Sequence, residues 1–242
     1  MKQQGFRVEL HTHTRFSHDS ILPLWLLYRM LSIKKIACVA ITDHNEIEGA
    51  FRFRNRYPQI SVIVGEEIFS SDGEIIGLFL SERIEPGLSA DETISRIRSQ
   101  GGIVCIPHPA DTKRNKTVLK TEVLIEQRER IDCIEQYNGR TLSAEDIERQ
   151  QTIADMSKLP CVVGSDAHTF YELGRNYNIF RFPVITKEDF LSQLSTIDLH
   201  KEPCLPISHQ STKIARALKM LASGRGRELV KKICKLGVSC HA

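Results

Sequence analysis

No stretch of this sequence stays apolar for the roughly 20 residues that a bilayer span requires, and Met1-Lys2-Gln3-Gln4-Gly5 leads into a polar-interrupted run without an apolar signal core. Cysteine is present but unorganised: seven residues, an odd number, with no Cys-x-x-Cys pair. Four of them sit inside apolar runs such as Ile103-Val104-Cys105-Ile106, which reads as buried, reduced thiols rather than a disulfide framework. Aromatic residues are few, 7% with a single tryptophan, and they do not alternate with basic residues as on a dedicated single-strand nucleic-acid platform. There is no internal repeat and no low-complexity segment. These absences argue against a membrane-spanning protein, a disulfide scaffold and a repeat array. They set the expectation of a soluble, cytoplasmic chain.

Neither sign of charge dominates, at a formal +3, but the distribution is uneven. Residues 201–242 hold nine Lys/Arg against two Asp/Glu, so a mildly acidic body carries a basic tail. At 242 residues, 41% of them apolar, the chain suits one large domain with a small appendage. We divide it into a body at 1–199 and a basic helical extension at 200–242.

Within the body, short apolar and β-branched runs at 6–10, 36–41, 60–64, 75–80, 102–106, 131–137 and 160–163 alternate with helix-like segments. The helices are expected at 22–31, with Pro23 near the start, and at 46–57 behind Asn45 as a cap. Ser89 and Glu92 form a capping box for 90–99. Further helices are expected at 121–130 and 143–158. Continuous apolar character suits strands covered on both faces. Repeated strand–helix units predict an α/β fold with a parallel sheet that closes into a barrel. Beyond residue 168 the pattern weakens to an edge strand at 177–182 and a helix at 187–194. Two basic amphipathic helices are expected at 212–221 and 227–236.

Six of the nine histidines fall at or just beyond the C-terminal end of such a run. They are His11, His13 and His18 after the first, His44 after the second, His108 in Ile106-Pro107-His108-Pro109, and His168 in Gly164-Ser165-Asp166-Ala167-His168. The third run ends in Gly65-Glu66-Glu67. In a parallel barrel these ends share one mouth, where such folds carry their chemistry. Imidazoles and carboxylates without cysteine suit Zn²⁺, Mn²⁺ or Fe²⁺, and His11 and His13, two apart on a strand, point to one side. So many ligands imply two or three ions, a set that serves displacement at phosphorus. Taken singly, each motif has a plainer structural reading: a helix cap at Asp43 or Asn45, a solvated Glu66–Glu67 pair, a rigid turn at His108. Their recurrence at successive strand ends favours the metal reading.

Leu10-His11-Thr12-His13, Thr42-Asp43-His44-Asn45, Ile106-Pro107-His108-Pro109 and Gly164-Ser165-Asp166-Ala167-His168, with Gly65-Glu66-Glu67 between, resemble the polymerase and histidinol phosphatase (PHP) superfamily over residues 6–185. The resemblance implies a distorted seven-stranded (β/α) barrel. It implies that His11, His13, Glu67 and Asp166 surround a first ion. Glu67 would bridge to a second ion held by His108, and His44 and His168 would hold a third. Glu67 is preferred to Glu66 because the family's glutamate lies two residues after the glycine; Glu66 would then point the opposite way. Two departures stand out. In place of the Ser-Asp-Gly of many relatives, this chain has Ser17-His18-Asp19-Ser20, giving His18 as the ligand with Asp19 as the alternative. No histidine lies between His108 and His168, so Glu135-Gln136-Tyr137-Asn138 supplies the best substitutes at the second site, or else water or substrate completes it.

The expected function is therefore a phosphomonoesterase acting on a small metabolite or nucleotide through a metal-activated hydroxide, with two or three divalent ions (Zn, Mn or Fe, and Mg as a further candidate). Asp43 would orient a ligand histidine. Arg114 and Arg140 lead the phosphate clamps, with Lys113, Arg15 and Arg175 behind. The alternatives are a nuclease that engages nucleic acid through the basic tail, and a non-catalytic metal-binding regulatory module.

Overall fold

Alternation along short strands sorts the apolar residues onto two faces of one curved sheet. In β2 (Ile36–Ile41), Cys38 and Ala40 belong to one buried cluster while Val39 and Ile41 belong to another. The Val39 face is covered by α1 (Leu24–Lys34) through Leu27 and Leu31, by α2 (Glu48–Arg56) through Phe53, and by α3 (Ala90–Ser99) through Ile94 and Ile97. The Cys38 face is therefore the inner one. There Val8 of β1 (Phe6–Glu9), Ile63 of β3 (Ser61–Ser70), Ile76 of β4 (Gly73–Leu78) and Cys105 of β5 (Ile103–Ile106) meet Phe190 of α6 (Lys187–Gln193). The computed structural model describes residues 5–114 and 117–224; the helix expected at 227–236 lies outside the described residues.

The remaining elements are α4 (Thr121–Glu126), β6 (Cys133–Asn138), α5 (Ala144–Ser157), β7 (Cys161–Gly164), β8 (Tyr177–Phe180), β9 (Asp198–His200) and α7 (Ser208–Ala222). The sheet has nine strands in the order β7-β6-β5-β4-β3-β2-β1-β8-β9, against the seven implied by family resemblance. It is nearly closed, as a barrel. Continuations of β1 and β7 pair in parallel at Thr12 and Ala167, with His13 N donating to Ala167 O at 2.8 Å. Farther down, the Asn178 amide fills the seam. Its Oδ1 accepts from Val163 N at 3.0 Å, and its Nδ2 donates to Val163 O at 2.8 Å and Val8 O at 3.4 Å. One side chain thus replaces a missing stretch of ladder.

Three expectations need correction. The sheet is not wholly parallel: β4 runs antiparallel to both β3 and β5. The reason is a tight hairpin at Ser71-Asp72, where Ser70 Oγ donates to Gly73 O at 2.5 Å and accepts from Asp72 N at 3.2 Å. Gly73 has φ +132°, and a Cβ there would lie 2.4 Å from Leu119 Cα, so only glycine turns the chain at this point. The strand at Tyr177 is not an edge, since β8 lies between β1 and β9. Asn45 does not cap α2. It sits at φ +53° with Oδ1 accepting from Phe69 N, and Glu46 accepts from Ile47 N and Glu48 N instead.

The capping box at Ser89 and Glu92 is present. β9 carries the sheet one residue past the expected boundary at 199. α7 is longer than expected and seats on the barrel through Ser208, Thr212, Ala215 and Met220. No helix among the described residues is long and apolar enough to cross a membrane.

The seam gives a stability test. Asn178→Leu keeps the volume but leaves the buried Val163 N–H and C=O without partners. It should lower the free energy of unfolding by about 2–4 kcal/mol, read by denaturant titration; a loss within error of zero would show that the seam does not depend on this amide.

Candidate metal centre

The strand ends deliver their side chains to one mouth. His11 and His13 follow β1, Asp19 lies on the loop beyond them, His44 follows β2, and Glu67 is on β3. Glu74 opens β4, His108 follows β5, and Asp166 and His168 follow β7. All of these except His44, which is nearly buried, are buried. The ladder reaches into the site itself, with His44 bridging in parallel to Glu67. Three non-glycine residues here hold positive φ: Asn45 at 53°, His108 at 30° and Asp166 at 52°. Such conformations cost on the order of 1–3 kcal/mol each and persist where the surroundings over-determine them.

Glu67 is the hub. Its Oε2 lies 3.3 Å from His11 Nε2, 3.2 Å from His13 Nε2 and 3.1 Å from His44 Nδ1, and its Oε1 lies 3.0 Å from His108 Nε2. Asp166 Oδ1 stands 3.4 Å from His13 Nε2, and Asp19 Oδ1 stands 3.2 Å from His168 Nε2. Three groups bring their donor atoms within 4.8 Å of one another: His13, Asp19, His44 and His168; His11, His13 and Asp166; and His44, Glu67 and Glu74.

The electrostatics follow from this crowding. Burial disfavours charge on His44, but Glu67, Asp19 and Glu74 outweigh it and raise its pKa to about 10. His11 is likewise raised against burial by Glu67, Glu135 and Asp166. Burial would raise Glu67 and Asp166, yet the neighbouring imidazoles, and Arg114 for Asp166, hold both well below the usual carboxylate range. His168 is pushed down to about 3 by burial, with His13 and Arg140 adding to the effect.

The residues expected from sequence separate clearly by position. The Asp19 carboxylate faces inward, whereas the His18 side chain is 60% exposed and reaches Asp19 only at 3.9 Å. Placement therefore favours Asp19 over His18 at the mouth. Glu66 points away from the cluster and accepts from Ile84 N. Asp43 makes no hydrogen bond or ion pair to an imidazole among the described residues. Its oxygens accept from Thr14 N, Thr14 Oγ1 and Ser17 N, and Ser17 Oγ in turn lies 3.1 Å from His13 Nδ1. It fixes the loop rather than a ring directly. Arg114 Nη2 donates to Asp166 Oδ2 at 2.5 Å.

Arg140, expected as a clamp, is buried and engaged on all three nitrogens. It meets His168 Nδ1 at 2.8 Å, Glu172 at 3.2 Å, and Thr212 Oγ1 and Ser208 O on α7. Arg175 pairs with Glu202. Arg15 is exposed and lines a separate groove. Glu135 lies 2.8 Å from His11 Nδ1 and accepts from His108 N and Asn138 Nδ2. It holds ring orientation, as carboxylates behind metal-binding histidines do. Gly164 makes room for it, since a Cβ there would come 1.8 Å from Glu135 Oε1.

Sequence reading missed Glu74. His108 Nε2 lies 3.4 Å from its Oε2, and His44 Nδ1 lies 3.7 Å from its Oε1. The signal was the Ser-Ser-Asp-Gly turn, which folds β4 back so that its first residues return to the mouth where β3 ends.

The donor set fits divalent cations. Buried Asp19 Oδ1, Glu67 Oε2, Asp166 Oδ1 and His168 Nε2 make no hydrogen bond although each faces another ligand-type atom. His11 and His13 bring their Nε2 atoms to 3.1 Å of each other. Lone pairs converging in a buried site need a cation to satisfy them. Above lies a cleft of about 680 Å³ whose wall carries Lys113, Arg114, Lys213 and Arg216.

A PHP-associated family model matches residues 145–196. An uncharacterized protein of Methanocaldococcus jannaschii is 36% identical over 198 residues, covering 81% of this chain and 79% of its own length. Among solved structures, PsfC from Pseudomonas syringae aligns with a TM-score of 0.62 at 16% identity over 91% of this chain and 100% of its own. A two-domain Bacteroides vulgatus protein containing a predicted PHP-like metal-dependent phosphoesterase aligns with a TM-score of 0.61 at 15% identity, over 81% of this chain and 65% of its own. The match therefore spans just under two thirds of that longer protein, and both structures share the fold. A nearly closed barrel, ligand-type residues at the motif positions and these relatives converge on one assignment: the chain belongs to the PHP domain family.

Proposed function

We propose that this protein is a metal-dependent phosphoesterase that hydrolyses a phosphomonoester of a small metabolite or nucleotide. The observation that supports it above all is the set of buried carboxylate and imidazole atoms without hydrogen-bond partners at the barrel mouth. In this reading His11, His13 and Asp166 hold one ion, with Glu67 bridging to a second beside His108 and Glu74. Asp19, His44 and His168 hold a third. Glu74 and Asp19 supply what the missing histidine and His18 do not. The ions, two or three of Zn, Mn or Fe with Mg as a further candidate, would generate a nucleophile from water near neutral pH and neutralise charge at phosphorus.

The chain's own groups do the rest. The Lys113 and Lys213 ammonium groups have no hydrogen bond or ion pair among the described residues and stand in the cleft wall to receive phosphate oxygens. Arg114 reaches the same cleft while steadying Asp166. Arg140 ties His168 to α7, and Asp43 holds the loop that carries Asp19. A small substrate is favoured because two cations of α7 are already committed to the barrel. Arg216 pairs with Asp19 at 2.8 Å, and Lys219 donates to Arg15 O and Ser17 O.

The site's protons give one test. In metal-free protein the raised pKa of His44 contributes stability that is fully present below about pH 6.5 and lost as pH rises through about 10. Metal binding requires the neutral ring, so uptake should release protons at pH 7 and affinity should climb with pH from 6 to 9. Calorimetry in buffers of different ionisation enthalpy reads both; uptake without proton release would contradict the charge state described.

Activity gives the other. An aryl phosphate, mononucleotides, a phosphodiester and short oligonucleotides should be compared with Mn²⁺, Zn²⁺ and Mg²⁺. Phosphomonoesters should turn over fastest. His11→Ala and Asp166→Asn should each lose at least about a hundredfold in kcat/KM, the upper end of what ligand-supporting residues cost, while circular dichroism shows the fold intact. Parent-like turnover by both variants would overturn the site.

A further inference from the structure

Trp25, the only tryptophan of the chain, stands 54% exposed at the start of α1. No aromatic ring or cation packs on its indole among the described residues. It borders a groove of about 510 Å³, outside the metal cleft, with Arg15, Arg52, Asn55, Arg56 and Tyr57. Leaving an indole half in water forfeits burial that aromatic side chains ordinarily provide.

The cations beside it are under-compensated. Arg52 has a carboxylate partner, Glu48 at 2.6 Å, also exposed. Arg56 donates to Tyr57 Oη at 3.2 Å and has no carboxylate partner among the described residues. The Arg15 guanidinium makes no ion pair among the described residues and lies over Phe16, 5.5 Å from the ring centroid, with the Arg52 guanidinium 5.2 Å from the same ring. Three guanidinium groups therefore face one acid around an open aromatic surface.

This pairing narrows the ligand. A free phosphate would leave Trp25 without a role, and an apolar peptide would leave the arginines unpaired. A flat base joined to a phosphate uses both, since stacking on an aromatic face and guanidinium–phosphate pairing are how unpaired nucleotides are held. We propose that this groove is a nucleotide-binding subsite, with a base stacked on Trp25 and phosphate oxygens on Arg15, Arg52 and Arg56. Arg15 lies two residues beyond His13 on the loop that also carries Asp19, so the groove and the metal centre flank the same loop. The spread of three arginines over one helix and a loop favours more than one phosphate.

Because the chain has one tryptophan, its emission reports this groove alone and needs no turnover, so failure here and failure of the phosphoesterase reading are separable. Full-length protein without added metal is titrated with AMP, an eight-residue oligothymidylate, ribose 5-phosphate and inorganic phosphate. Saturable quenching by AMP or the oligonucleotide, with none by the last two, supports the subsite. The double variant Arg52→Ala/Arg56→Ala, on an exposed helix face, should bind about tenfold more weakly with unchanged circular dichroism. Tighter binding of the oligonucleotide than of AMP, with a steep fall from 50 to 200 mM salt, identifies a strand as the source; equal affinity with a shallow slope identifies free nucleotide. No quenching by either, or a double variant that binds like the parent, overturns the proposal.

Discussion

The structure turns on one electrostatic constraint. Asp19, Glu67 and Asp166 are buried together at the mouth of the barrel, and buried carboxylates are tolerated only where positive charge or hydrogen bonds answer them. Within the chain, protonated imidazoles and Arg114 give that answer in part, as the raised pKa values of His11 and His44 record. The orphaned oxygens left over are a demand for cations. Much else near the mouth serves this arrangement: left-handed backbone at His108 and Asp166, the missing side chain at Gly164, and Glu135 behind His11.

What sequence could reveal depended on whether a signal was local. Strand ends are local, so the histidines of the four motifs were legible from runs and spacing alone, and the family resemblance chose Glu67 from the Glu66–Glu67 pair. Strand direction is not. An apolar run reads the same whichever way it lies, and only the Ser70–Gly73 turn distinguishes a hairpin from a crossover. Treating β4 as one more parallel strand placed its first residue at the wrong end of the barrel, and Glu74 vanished from the site with it. His18 against Asp19 stayed open for a related reason: on a loop, a shift of one residue exchanges inward and outward directions, and no periodicity reports it.

A charge count has a different blind spot. A net excess of Lys and Arg in the tail suggests attraction to a phosphate backbone, but a count cannot show which cations are already engaged. On α7, Arg216 lies on Asp19 and Lys219 on two carbonyls of the loop it covers. Arg140, which from sequence looks like a free clamp on a strand-end loop, is instead the peg between His168 and α7. The described part of the segment read as an appendage thereby becomes one wall of the metal cleft, with the Lys213 ammonium facing it.

The same limit explains why a basic, aromatic groove was invisible in a chain that lacks basic–aromatic alternation. Alternation detects a platform built on one strand. Here Trp25 comes from α1, Arg52 and Arg56 from one face of α2 four residues apart, and Arg15 from the loop after His13. Packing of α1 and α2 on the sheet through Leu27, Leu31 and Phe53 brings them together. The core contacts that fix the helices therefore also set the spacing of the groove, and a cavity left by truncating Phe53 would disturb both. Surface chemistry in this fold is inherited from the packing beneath it.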